Sequence, residues 1–525
     1  MDSHEQRIVR FLSNPASYPH SDPRVRHIQR RETHVSHVFL AGRFAYKLKK
    51  PVKFPFLDAS TLALRKRFCQ LELSLNRRLA PAIYRRMVPI VETPGGLRLG
   101  DAGRVVEWVV EMNRLPEERM LDRLVAKRRV SQADMRRIAD QLIPFFRSAA
   151  RGRSISHYGH PDQVAELVLG NLRECQLFVG TLLPESDRAA LESAYRQYLA
   201  LHRPLLARRV REGRIIDGHG DLRCENICLT APPNIFDCVE FQPAFRCGDM
   251  ANDFSFLVMD LEFRGRQDLA KALTERYRRR LHDATFEAVL PFYQCHRSLV
   301  RGKVRGFGWL QHPRTAEGRR IRELSRRHFR LALRYARQFA PPRLILVGGV
   351  IGTGKSTLAR ALSESLGAVW LRTDEIRLRD FAAKRRPGQG FAGGLYAPHV
   401  SELVYQRMMR RAEALLAQGR SVVCDGTFSK ASGREALRQI ARRYHASFHF
   451  FECVVPKAVA LRRVAKRAAA KSDMSEAKPE HYDRLRAGFE PVHGWSARDW
   501  TRLSDNRAPA ATARAALNIL CRLWT

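Results

Sequence analysis

Gly349-Val350-Ile351-Gly352-Thr353-Gly354-Lys355-Ser356-Thr357 decides the fold of the second half of this chain. The stretch matches G-x-x-x-x-G-K-[ST]. Glycines at those positions let the backbone curl until its N–H groups converge on one anion. The apolar run Arg343–Val347 precedes it, and Leu358, Leu362 and Leu366 mark a helix from Lys355 to Leu366 after it. Strand, glycine loop and helix in that order aim a helix N-terminus at a phosphate. Gly349, Gly352, Thr353, Gly354 and Thr357 are therefore expected to line a nucleotide cradle. Lys355 is expected on the β- and γ-phosphates, and Ser356 on Mg²⁺.

Outward from the loop, apolar runs recur at Val369–Arg372, Ser421–Cys424 and Phe448–Cys453, with helical patterns between them. Such alternation predicts an α/β domain with a parallel sheet. Asp374 follows the second strand, with Arg377 three residues on. At the carboxyl edge of a parallel sheet this pair faces the ligand. Asp374 is a candidate base for an attacking hydroxyl, and Arg377 a candidate grip on an acceptor. Asp425 ends the next apolar run, where a carboxylate would orient Mg²⁺. Arg463 and Arg467 are one helical turn apart and could close over phosphates.

Together, GVIGTGKST, Thr373-Asp374-Glu375-Ile376-Arg377, Val422-Val423-Cys424-Asp425-Gly426-Thr427 and Leu461–Arg467 resemble the small P-loop kinases related to polynucleotide kinase, gluconate kinase and the zeta-type toxins. The resemblance covers about Arg343 to Val492. It implies that Asp374 is the base and Arg377 grips the acceptor; the acceptor itself does not transfer.

The first half carries His219-Gly220-Asp221-Leu222-Arg223-Cys224-Glu225-Asn226, an H-x-D-x-x-x-x-N pattern. Asp237 follows the apolar pair Ile235-Phe236. Lys47 lies in the strand-like Ala45–Lys49, and Glu72 in the helical stretch Leu62–Leu79. In this order the residues resemble aminoglycoside phosphotransferases and related eukaryotic-like kinases. The resemblance implies Asp221 as base, Asn226 and Asp237 as Mg²⁺ ligands, and a Lys47–Glu72 pair at the nucleotide phosphates. It is strong over about Ile215 to Asp253 and weaker from about Thr33. Strands first and helices later predict an α+β, kinase-like domain. There are departures. No G-x-G-x-x-G precedes Lys47, so either backbone or Thr33 and Ser36 cover the phosphates, or nucleotide binding is weakened. Lys49 and Lys50 compete with Lys47 for the nucleotide. Glu240 adds either metal affinity or structure, and His219 reads as a scaffold.

The 525 residues suit two or three domains. Ala340-Pro341-Pro342 ends a basic helix expected over Ala316 to Phe339, so the expected domains are 1–340, kinase-like, and 341–525, P-loop. That order resembles bacterial fusions of the two domain types. The ten Cys form no metal or disulfide pattern, and no apolar run reaches membrane-spanning length. A cytoplasmic protein without a membrane partner is expected. Lys plus Arg total 93 against 53 acidic residues, a net charge of +40. The excess suits a polyanion, so nucleic acid is a candidate partner, although Arg outnumbers Lys roughly five to one, as GC-rich coding alone would produce. The expected activity is ATP- and Mg²⁺-dependent phosphoryl transfer from two nucleotide sites to a small-molecule hydroxyl. The alternatives are a nucleotide-switched binding protein with a pseudokinase first half, and a nucleic-acid 5′-end kinase.

Overall fold

The computed structural model describes residues 3–18, 25–54, 57–381, 396–470, 479–504 and 508–524. It forms two compact units, Met1–Gln163 with Arg208–Arg297, and Val164–Ala207 with Ser298–Thr525.

The first unit is built on a six-stranded antiparallel sheet. Its order is Gln29–Glu32, Ser36–Ala41, Phe44–Lys49, Arg104–Asn113, Tyr84–Thr93, Gly96–Leu99. The expected hairpin is present, with Gly42-Arg43 as a two-residue turn and Gly42 at φ 58°. Side chains alternate along Phe44–Lys49. Phe44, Tyr46 and Leu48 pack with Ile8 and Leu12 of the helix Ser3–Leu12. Ala45 packs on the other face beside Cys69 of the helix Leu62–Asn76. That second face is the one on which Lys47 and Lys49 stand. Sequence reading missed Gln29–Glu32, whose four residues are all exposed and lack apolar alternation. It also missed the long strand Tyr84–Thr93. The rest of the unit is mostly helical, including the buried helix Met250–Phe263.

The second unit holds a five-stranded, all-parallel sheet, ordered Val369–Arg372, Val422–Asp425, Arg343–Gly348, Ser447–Val454, Trp500–Ser504. Only the last strand was not foreseen, being short and amphipathic at the sheet edge. Leu344, Leu346, Val422, Phe448 and Phe450 face the helices Pro398–Ala417 and Ala431–Arg443. Ile345, Val347, Val423 and Phe451 face Lys355–Leu366 and Pro509–Trp524.

The basic helix does stop at Phe339, as the prolines require. Packing nevertheless draws 164–207 and 298–340 into the second unit. Leu201 lies in the P-loop core cluster. Gln197 donates to Ser421 Oγ at 2.7 Å and accepts from Arg343 Nε at 2.6 Å. The helix Glu185–Arg211, which precedes the P-loop strand by more than a hundred residues, thus contributes Leu201 and Gln197 to the packing around that sheet. No helix among the described residues is long and apolar enough to cross a membrane.

Candidate active sites

In the second unit the loop has the conformation its glycines were read for. Gly349, Gly352 and Gly354 have φ of 139°, 77° and 88°. A Cβ on Gly349 would sit 2.4 Å from the Cys453 carbonyl, and one on Gly352 2.4 Å from that of Ala460. Any side chain at either position would displace backbone. Thr353 Oγ1 donates to the Val350 carbonyl at 2.8 Å and so braces the loop from inside. Lys355 and Ser356 open the helix half-buried, while Thr357 is exposed.

Asp425 is buried beneath them and hydrogen-bonds the Ser356 hydroxyl. Burial raises its pKa, with Lys355 and Ser356 opposing. Arg372 Nε stands 3.7 Å from the same carboxylate. Arg463 also reaches the loop: the place a Cβ would take on Gly354 is 3.6 Å from its Nη1. Arg467 lies on the helix Lys457–Ala470, but its side chain is outside the described residues.

A cavity of about 620 Å³ opens from Lys355 to Asp374 and Arg377. Arg377 is buried, its Nη1 3.3 Å from Ser401 Oγ and its guanidinium 4.5 Å from the Tyr396 ring centre. Tyr405 Oη bonds Thr427 Oγ1 at 3.0 Å and accepts from the Phe428 N–H at 2.9 Å, which shapes the opposite wall. Tyr396, Ser401 and Tyr405 escaped sequence reading because none belongs to a motif, and Thr427 was read only as the end of the Val422–Thr427 segment, without a role. Only Thr427, directly after Asp425-Gly426, had a positional clue.

In the first unit the chain brings together Lys47, Glu72, Asp237, Asp221 and Asn226. Lys47 Nζ donates to Glu72 Oε1 at 2.6 Å and to Asp237 Oδ1 at 2.8 Å. Burial alone would lower the Lys47 pKa; Asp237 and Glu72 outweigh it and hold Lys47 protonated. Burial likewise opposes ionisation of Glu72, but Lys47 and Lys49 carry its pKa down to about 2. The three lysines differ in the carboxylates they meet. Lys50 pairs with Glu32, Lys49 with Glu72 and Glu240, and only Lys47 reaches Asp237.

Asp221 accepts two bonds from Arg223, at 2.7 and 2.8 Å, and one from Asn226 Nδ2 at 2.9 Å. The loop that carries it hangs from one helix. Asp253 accepts the His219 and Gly220 N–H groups at 2.7 and 2.8 Å, and Asp260 accepts that of Cys224 at 3.0 Å. Asp253 and Asp260 are seven residues apart, hence on one face of Met250–Phe263. The His219 ring accepts the Asp221 N–H at Nδ1 and donates from Nε2 to the Phe236 carbonyl, a bridging role. Burial depresses its pKa and keeps it neutral. Sequence reading missed Arg223, Asp253 and Asp260; two buried acids seven residues apart in a mostly apolar helix were the available signal.

The place of a glycine-rich loop is taken by Thr33–Val35. Thr33 Oγ1 donates to the Ser36 carbonyl at 3.1 Å and accepts the Ser36 N–H at 3.0 Å. Thr33 Oγ1 thus closes its own turn, and Ser36 is buried.

Mg²⁺ is the metal both motifs imply, and the donors suit it. It takes one or two carboxylates with phosphate oxygens and water, not an all-protein cage. Asp237 offers a half-exposed carboxylate, and Ser356 with Asp425 an oxygen pair. Among the described residues no group of three or more His, Cys, Asp and Glu converges.

Residues 344–492 match the family model described as AAA domain. They form a P-loop, ATP-binding domain. Two uncharacterized proteins, Rv2004c of Mycobacterium tuberculosis and Mb2027c of Mycobacterium bovis, are each 34% identical over 446 residues, covering 84% of this chain and 87% of the relative. Among solved structures, a choline/ethanolamine kinase family protein from Mesorhizobium loti is 13% identical, with TM-score 0.37, over 62% of this chain and 99% of its own. A sugar kinase from Janibacter is 20% identical, with TM-score 0.28, over 34% of this chain and 95% of its own.

Proposed function

We propose that this chain, which belongs to the family of the mycobacterial proteins Rv2004c and Mb2027c, transfers the γ-phosphate of ATP to a hydroxyl of a small molecule and has two nucleotide sites. ATP-dependent kinase is the class to which its P-loop domain assigns it. The two sites, the roles of single residues, the acceptor and a fusion junction at 340/341 are our reading. The observation that carries it is the cavity of about 620 Å³ that joins Lys355 to Asp374 and Arg377. That size suits a small molecule.

In this reading the acceptor hydroxyl enters the cavity beside Asp374, which takes its proton as the oxygen attacks the γ-phosphorus. The bond to the β,γ-bridging oxygen breaks, and ADP leaves. Lys355 and Arg463 neutralise charge on the phosphoryl oxygens, and Arg377 orients the acceptor. Mg²⁺, held through Ser356 and Asp425, would supply further charge neutralisation. In the first unit Asp221 is the corresponding base, Lys47 the phosphate contact, and Asn226 with Asp237 the metal ligands.

The self-closed Thr33–Val35 turn favours a second reading for the first unit, a pseudokinase that senses a ligand while the P-loop unit turns over. One experiment separates the two. Labelled ATP·Mg²⁺ is offered with pooled nucleosides, sugars, aminoglycosides and 5′-hydroxyl oligonucleotides to wild type, Asp221→Ala, Asp374→Ala and Lys355→Ala. Loss of a labelled product in one variant names the working unit. Label on oligonucleotides alone would replace the small molecule by a nucleic-acid end. Slow Lys355-dependent hydrolysis with no labelled acceptor would sink the kinase reading.

A further inference from the structure

Lys49 and Glu240 form a second buried ion pair beside Lys47 and Asp237, and neither residue belongs to the H-x-D-x-x-x-x-N set. Lys49 is 4% exposed and Glu240 7%, with Nζ in close contact with Oε1. Lys49 also holds Glu72 Oε2 at 2.5 Å, so Glu72 is shared by two lysines of one strand face. Both pairs cross between the same two segments. Lys47 and Lys49 are two residues apart on the strand, and Asp237 and Glu240 three apart on the segment opposite.

Asp237 needs such support. Its φ is 64°, a left-handed conformation uncommon outside glycine although aspartate is among the residues that tolerate it, and its side chain is 46% exposed. The backbone around it is tied down in sequence. Asp237 N–H reaches Tyr84 Oη at 3.3 Å, Cys238 N–H the Asn76 Oδ1 at 2.9 Å, and Val239 N–H the His219 carbonyl at 3.1 Å. Glu240 is the fourth consecutive tether, the one made by a side chain. When a cation and phosphates engage Asp237 and Lys47, their mutual pair must open. Lys49 and Glu240 make neither contact of the Lys47–Asp237 pair.

We propose that Lys49 and Glu240 are positioning residues: their ion pair staples the metal-binding Asp237 segment to the lysine strand while the Lys47–Asp237 pair opens to admit a nucleotide-bound divalent cation. The proposal rests on the reading of the first unit as a nucleotide site.

The test uses the full chain carrying Lys355→Ala, so that the P-loop site is silenced, with Mn²⁺ and β,γ-imido-ATP as probes. Mn²⁺ affinity is read by electron paramagnetic resonance at a temperature where thermal melts show every variant folded. Glu240→Gln and Lys49→Met should each weaken Mn²⁺ binding about 10-fold or more, as loss of an outer-shell partner does. The double variant should be weakened to the same degree as either single, because the tether is lost once only. It also supplies the measurement if a single variant, left with one unpaired buried charge, fails to fold. Singles that bind Mn²⁺ like the parent overturn the proposal. So does a double variant that returns to parental affinity, since stray charge and not the tether would then be the cause. Absence of Mn²⁺-dependent nucleotide binding by the parent itself overturns the nucleotide-site reading, and this proposal with it.

Discussion

Asp253→Asn is the change that most directly probes how the Asp221 loop is held. The wild-type carboxylate is buried and accepts two backbone N–H groups, one at each oxygen. An asparagine offers one oxygen to one of them and turns its own N–H₂ toward the other. One charge-assisted bond is lost, and one buried donor has no acceptor. No side chain can compensate at Gly218, where a Cβ would lie 2.7 Å from Asp253 Oδ2. Together these cost about 3 kcal/mol locally, roughly a hundredfold in an opening equilibrium. Native-state hydrogen exchange measures this as a drop of about 100-fold in protection at His219 and Gly220. Protection in the strand Arg343–Gly348 of the other unit should stay unchanged. A loss of less than threefold at both amides would refute the claim that Asp253 holds the loop.

Three more outcomes are expected. Gly352→Ala puts a Cβ 2.4 Å from the Ala460 carbonyl at a φ of 77°, so nucleotide protection of the P-loop unit against heat should disappear, read as the shift in melting temperature with ATP·Mg²⁺. His202, pushed by burial down to about 4, is neutral when folded but titrates near 6.5 when unfolded, so its contribution is complete above that value. Up to about 3 kcal/mol should be lost as pH falls from 6.5 through 4, and a denaturant series on His202→Leu should lack that slope. Glu72, held near 2 when folded, contributes stability above its unfolded value of about 4.3 that is lost as pH falls through 4 to 2. Glu72→Gln should abolish that acid window and cost about 3 kcal/mol at pH 7 by leaving Lys47 and Lys49 short of one counter-charge, measured by chemical denaturation.

Wherever the signal was local, the chain could be read directly. Glycines at 349, 352 and 354 sit at positive φ because the curl of the loop needs it, and periodicity alone placed the helix Lys355–Leu366 and the strand Val369–Arg372. The order Lys47, Glu72, Asp221, Asn226, Asp237 named residues that the fold does gather. Spacing could not choose among Lys47, Lys49 and Lys50, because alternation leaves Lys47 and Lys49 on one face. It also could not see Asp253 and Asp260, whose partners are backbone amides some thirty residues away.

By itself, then, the sequence determined the two motif loops, the elements flanking them and the class of anion they suit, since each depends on backbone geometry within about twenty residues. Tertiary structure alone decided which lysine meets Asp237, where the cavity beside Lys355 opens, and that Leu201 and Gln197 of a first-half helix pack against the P-loop sheet. Those outcomes follow from burial. A charge far from any motif is held wherever its desolvation is offset by a partner, and an apolar face is covered by whichever helix the chain can fold back upon it.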